Sequence, residues 1–137
     1  MADVDARIFR VLLEVADLER AAAFYSTLLD VEGRAVGGAR YYFYCGDMIL
    51  GLVDVSAAGA RPQAAPQDIY FSVAQLEPFF ERALQLKALS TGDVHGENAG
   101  AIVERPWGER SFYCVDPYGN GLCFVDEATL FTGKEES

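Results

Sequence analysis

Cysteine, histidine and basic side chains are all scarce in this 137-residue sequence. Three cysteines, Cys45, Cys114 and Cys123, are too few and too odd in number for a disulfide framework. The single histidine, His95, sits in Gly92-Asp-Val-His-Gly-Glu-Asn98, a poor setting for a rigid Ser-His-acid triad. Eleven Lys and Arg face 21 Asp and Glu, a net charge of −10. That balance argues against nucleic acid or an anionic membrane surface as partner, because both require a basic face. No apolar run approaches the ~18–20 residues that span a bilayer. The start, Met1-Ala-Asp-Val-Asp5, lacks the basic-then-apolar order of a signal peptide, so the expectation is a cytoplasmic protein with reduced thiols. Gly33 and Gly37-Gly38 lack the strand–GxGxxG–helix context of a phosphate-binding loop.

What is present is enough apolar side chain for a core, 51% hydrophobic and 12% aromatic, which excludes an intrinsically disordered chain. The length suits one domain, or two small fused repeats sharing a core. An internal repeat favours the second form. Val11-Leu-Leu-Glu-Val-Ala-Asp-Leu-Glu19 lies over Ile69-Tyr-Phe-Ser-Val-Ala-Gln-Leu-Glu77. Phe43-Tyr-Cys45 recurs as Phe112-Tyr-Cys114, and Leu50-Gly-Leu-Val-Asp54 as Leu122-Cys-Phe-Val-Asp126. Three matches in the same order define repeat one as about 6–56 and repeat two as about 67–128, followed by a short C-terminal tail.

Each copy opens on a strand-like alternation: Val11, Leu13 and Val15 against Arg10, Leu12 and Glu14 in the first. Asp17 can cap a helix whose apolar positions are Leu18, Ala21, Ala22, Tyr25, Leu28 and Leu29. The second copy repeats the stripe as Leu76, Phe79, Phe80 and Ala83. Three strand-like segments follow each helix, roughly 34–38, 40–46 and 48–55, then roughly 100–105, 109–116 and 121–126. Asp116-Pro-Tyr-Gly-Asn120 is turn chemistry between the last two. Ala57–Gln67 reads as a linker, and Ser90–Gly100 as a mobile loop. The predicted fold is α+β: two βαβββ repeats in a single domain, 1–137, pairing into a curved, cleft-forming mixed sheet with helices on the convex side.

This arrangement resembles the vicinal oxygen chelate superfamily, which includes glyoxalases, extradiol dioxygenases and bleomycin-resistance proteins. The resemblance rests on Val11-x-Leu-x-Val-x-Asp-Leu-Glu-Arg-Ala-x-x-Phe-Tyr25 and on Pro106-Trp-Gly-x-Arg-x-Phe-Tyr-x-x-Asp-Pro-Tyr-Gly-Asn120. The second stretch is most similar to the drug-binding, bleomycin-resistance branch. Metal-dependent members carry His, Glu or Gln at four related positions. Carried over, these are Arg10, Gly51, Asp68 and Cys123. Arg stays protonated and Gly has no ligand atom, so the resemblance implies no metal and no cofactor here. Arg10 and Asp68, as repeat mates, can equally form an ion pair.

Strand alternation then predicts what lines the cleft: Arg10, Leu12 and Glu14; Asp68 and Tyr70; Arg110, Phe112 and Cys123; and, by repeat, Tyr41 and Phe43. Tyr42, Tyr44 and Tyr113 are expected against the helices, although a one-residue slip of the last hairpin exchanges Phe112 for Tyr113. Trp107, between Pro106 and Gly108, stacks on a ligand or packs under the second helix. The reading is a metal-free protein that binds an aromatic or polycyclic small molecule. The resemblance adds a homodimer, side by side or with exchanged halves. The alternative is a lyase, isomerase or dioxygenase with an unconventional metal site, or with metal-free acid–base catalysis by Glu14, Asp68 or Tyr70.

Overall fold

The computed structural model describes residues 5–134. Its chain divides into two units, Met1–Ala64 and Ala65–Ser137, and each repeats the same plan.

In the first unit, β1 (Arg10–Val15), α1 (Leu18–Leu29), β2 (Arg34–Gly37), β3 (Arg40–Cys45) and β4 (Met48–Asp54) follow one another. The sheet order is β1-β4-β3-β2, with β1 parallel to β4 and the other pairs antiparallel. Helix α1 begins where two carboxylates meet its free N–H groups. Asp17 accepts from Arg20 N, and Asp54, from the end of β4, accepts from Leu18 N. The predicted stripe is the buried one: Ala21, Ala22, Tyr25, Leu28 and Leu29 pack with Leu13, Val15, Phe43, Leu50 and Leu52 to form this unit's core.

The second unit runs β5 (Ile69–Val73), α2 (Leu76–Gln85), β6 (Asp93–Val94), β7 (Glu97–Asn98), β8 (Val103–Glu104), β9 (Arg110–Val115) and β10 (Gly121–Asp126). Its sheet order is β5-β10-β9-β8, with β5 parallel to β10. Phe71, Phe124 and Phe112 stack in sequence at 4.8 and 5.4 Å, and α2 adds Phe79 and Phe80 to the same cluster. The Asp116–Asn120 turn is locked by its own side chains. Asp116 accepts from the N–H groups of Tyr118 and Asn120, and Asn120 Nδ2 returns to Asp116 Oδ2 at 2.9 Å. Asn120 Oδ1 also accepts from Ala65 N, tying down the start of the unit. No described helix is long and apolar enough to cross a membrane.

The structure differs from the sequence expectation in three places. Ser90–Gly100 is a folded excursion containing the hairpin β6–β7, with His95 and Gly96 at positive φ in its turn. The predicted strand at 100–105 shrinks to two residues, and the Ala101 carbonyl within that span accepts from Arg105 Nη2. Most consequential is the facing of the hairpins. The turn between β9 and β10 is centred on Tyr118, so Cys114 pairs with Leu122 and Tyr113 with Cys123. Tyr113, not Phe112, therefore shares a face with Cys123. In the first unit, Phe43 pairs with Leu50 and Tyr42 with Gly51, which puts Tyr41 and Phe43 under α1 and turns Tyr42 and Tyr44 outward. Pairing register sets side-chain parity, and one residue reverses it.

Candidate functional site

On each sheet the site-forming surface is the face turned away from the helix. In the first unit Arg10, Leu12 and Glu14 lie there as expected, while the intervening Leu13 and Val15 are buried. Leu12, Gly51, Tyr42 and Arg34 form one row across all four strands. A side chain on Gly51 would meet Leu12 Cδ2 at 2.5 Å and the Tyr42 ring at 3.0 Å, so these two cover the position. Arg10 rests its guanidinium 4.9 Å from the Phe9 ring and 5.9 Å from the Tyr42 ring. Glu14 Oε1 accepts from Gln63 N. Phe43 is displaced from the predicted site into the α1 core, and Tyr41 lies half-buried against it on the same side of the sheet.

In the second unit the rows are Asp68–Gly121, Tyr70–Cys123–Tyr113 and Ser72–Val125–Ser111. The Asp68 carboxylate lies over Gly121, where a side chain would collide with it. Cys123 is buried beneath the β6–β7 excursion, together with Tyr113, Val125 and Ala99. Burial pushes the Cys123 thiol up to about 11 against the opposing influence of Ser111, Tyr113 and Arg105, and raises Cys114 to about 12. Neither thiol is a nucleophile at neutral pH. Phe112 and Arg110 leave the predicted set: Phe112 stacks under α2, and Arg110 pairs with Glu77 and Asp126.

Arg105 is a functional-looking residue that the sequence reading overlooked. It is 1% exposed, and its Nη2 donates to the carbonyls of Ala99, Ala101 and Ser111 while Nε donates to Ser111 Oγ. Its guanidinium also lies 5.2 Å from the centre of the Tyr113 ring. The Arg-Pro-Trp-Gly-Glu run reads as a surface turn, and only the fold reveals that its first member points inward.

A recess of about 430 Å³ opens on this face, lined by Tyr70, Ser72, Trp107, Glu109, Leu130 and Phe131 among others. Its rings are presented, not buried: Tyr70 is 59% exposed and Phe131 63%. The recess is built by a turn and a tail. Pro106 fixes φ in the β8–β9 turn and Gly108 takes φ +95°, which projects Trp107. Glu109 then clamps both walls, accepting from Trp107 Nε1 at 2.7 Å and from Phe131 N at 2.8 Å. His95 meets the Trp107 ring edge-on at 5.3 Å. Of the predicted site residues, Tyr70 and Trp107 are thus brought together around one space. Glu109, Leu130 and Phe131 were missed, the last two because a tail after the final strand has no periodicity to read.

The four positions that correspond to metal ligands do not fit a divalent cation. Arg10 is a cation, Gly51 is covered by Leu12 and Tyr42, and Cys123 is a buried, protonated thiol, leaving Asp68 as the one available carboxylate. Within either unit, no three described His, Cys, Asp or Glu side chains converge.

Residues 7–124 match the family described as the glyoxalase/bleomycin resistance protein/dioxygenase superfamily. Among solved structures, a glyoxalase/bleomycin resistance protein from Albidiferax ferrireducens T118 is similar at 21% identity and a TM-score of 0.61. That match covers 87% of this chain and 98% of that one. A lactoylglutathione lyase from Agrobacterium tumefaciens is 22% identical with a TM-score of 0.61, covering 90% and 96%. A bleomycin-binding protein complexed with bleomycin is 19% identical with a TM-score of 0.63, covering 88% and 98%. At these identities the likeness is one of fold. No curated protein sequence matches.

Proposed function

The chain belongs to the glyoxalase/bleomycin resistance protein/dioxygenase superfamily, and on that basis we propose that it binds a flat aromatic or polycyclic small molecule without a metal ion. The observation that carries this reading is the aromatic recess of the second unit. Tyr70, Trp107 and Phe131 surround about 430 Å³, within the range of drug-sized ligand sites. Presenting large rings to water is unfavourable, and a planar guest relieves it by stacking. Ser72 and the Glu109 carboxylate supply polar contacts that orient such a guest. The bleomycin-binding relative is a precedent for small-molecule binding on this fold. The proposal includes a homodimer, which the drug-binding branch's pattern implies and sedimentation equilibrium tests.

Trp107 is the sole tryptophan, so its fluorescence reports this recess alone. Titration with a panel of aromatic antibiotics and related metabolites is expected to give saturable quenching with at least one of them. A ligand at 100 times its dissociation constant adds about 2.7 kcal/mol of stability in a thermal-shift assay. Tyr70→Ala and Phe131→Ala are expected to abolish both signals. The reading is overturned if no aromatic compound acts while a transition metal co-purifies in stoichiometric amount and stabilises the protein by itself. That result favours the enzymatic alternative.

A further inference from the structure

In a chain of net charge −10, the first unit concentrates arginine on one sheet face. Arg10, Arg34 and Arg40 all share the face that bears Tyr42. Within this unit no described carboxylate forms an ion pair with any of the three. The carboxylate on the same face, Glu14, is held by the Gln63 N–H.

Tyr42 is the centre of the group. Arg40 Nη1 donates to its hydroxyl oxygen at 3.3 Å, and the Arg10 guanidinium lies 5.9 Å from the centre of its ring. Both are possible because Gly51 has no side chain: the Tyr42 ring lies on β4 at that point, against Leu12. A phenol oxygen that accepts from a guanidinium keeps its own O–H free to donate. The Arg40 hydrogen bond lowers the Tyr42 phenol, and the Arg10 charge adds to the effect, making the hydroxyl a stronger donor. Arg40 and Arg10 retain further N–H groups in the planar fork that suits a two-oxygen acceptor.

We propose that Arg40, Arg10 and the Tyr42 hydroxyl form a binding site for the oxyanion of a small molecule, a carboxylate or a phosphate group, with Arg34 adding charge at its edge. The Arg40 and Arg10 guanidinium groups and the Tyr42 hydroxyl meet around the Tyr42 ring, which with Leu12 occupies the space above Gly51. The anion supplies the negative partner that the unit's own carboxylates do not. This site depends on residues of the first unit only and stands or falls independently of the aromatic recess.

The test follows the arginine Nε–H signals by NMR in the full chain while inorganic phosphate or benzoate is added at constant ionic strength, with chloride as the reference salt. Saturable shifts of Arg10 and Arg40 at low-millimolar anion are expected. Phosphate and benzoate separate the two acceptor classes, and binding of either supports the site. Arg40→Gln is expected to weaken binding roughly tenfold, the scale of one charge-assisted hydrogen bond. Tyr42→Phe weakens it by a smaller factor while preserving fold and charge. Arg61→Gln, a charge removed from the linker, leaves it unchanged. Parallel, non-saturating shifts of all arginines, or an equal loss in Arg61→Gln, indicate diffuse charge attraction and overturn the proposal.

Discussion

Arg105 and Ser111 are joined twice, through Nε to Oγ at 3.1 Å and through Nη2 to the carbonyl at 3.0 Å. The same Nη2 reaches back to Ala99 and Ala101. One guanidinium therefore fastens the β6–β7 excursion to the sheet and covers Cys123 and Tyr113. Among the described residues its Nη1 has no hydrogen-bond partner, so the cation is held by carbonyl dipoles and the Tyr113 ring. Arg105→Met is expected to remove the N–H partners of the Ala101 carbonyl and the Ser111 hydroxyl and destabilise the protein by about 1–3 kcal/mol, the cost of buried polar groups left short of a hydrogen bond. Arg105→Lys keeps the charge but cannot span the acceptors, and falls between the two. Urea denaturation midpoints measure both. A loss under about 1 kcal/mol for Arg105→Met means the excursion is held by its apolar contacts instead.

The corrected facing of the hairpins makes opposite predictions for two aromatic residues, Phe112 and Tyr44. Phe112 is fully buried, stacked on Phe124 and met edge-on by Phe80, so Phe112→Ala is expected to cost about 3–5 kcal/mol. Tyr44 is 51% exposed on the first unit's open face, and Tyr44→Ala is expected to cost under about 1 kcal/mol. The sequence-based facing demands the reverse ranking, and thermal unfolding of the two variants decides between them.

The contrast shows which parts of the structure could be read from sequence. Helices α1 and α2 were legible because their apolar stripes repeat at helical spacing, and β1 and β5 because alternation fixes two faces once Leu13 or Val73 is assigned inward. The repeat mates Phe43 and Phe112 were also matched correctly, and both proved to lie under a helix. Which face they share was not legible. In an aromatic-rich run such as Tyr41-Tyr-Phe-Tyr-Cys45 every position is apolar enough to be inside, so parity comes from the turn. The recess was half legible: Tyr70 follows from β5, whereas Phe131 arrives by a tail that hydrogen bonds through Thr129 and the Glu109 carboxylate place.

Alkaline pH should weaken the fold through its buried thiols. Burial holds Cys114 at about 12 and Cys123 at about 11, well above the ~8.5 of an exposed cysteine. Between those values the unfolded chain releases thiol protons that the native state retains. Stability is thus fully present below about pH 8.5 and is lost as pH rises towards the native values. The urea midpoint is expected to fall across this window. In Cys114→Ala, compared with its own value at neutral pH, the fall is shallower. An unchanged slope assigns the alkaline loss to other groups. Alkylation of native protein at neutral pH is expected to spare both residues.

Glu109 offers the cleanest separation of site from scaffold. Its two oxygens hold Trp107 Nε1 and Phe131 N, two lining residues of the recess, and it lies in a turn outside both aromatic cores. Glu109→Gln keeps one acceptor and can retain one wall, whereas Glu109→Ala releases both. Loss of exposed or half-exposed hydrogen bonds of this kind costs about 1 kcal/mol or less each, so neither variant should unfold the protein. The Trp107 emission of Glu109→Ala is nevertheless expected to shift to the red as the indole N–H turns to water. Affinity for any aromatic ligand should drop, because a wall that must be ordered on binding subtracts its ordering entropy from the affinity. The graded order wild type, Glu109→Gln, Glu109→Ala in fluorescence titration is the signature of a preorganised recess. Equal affinity in all three means that the ligand sits elsewhere on the chain.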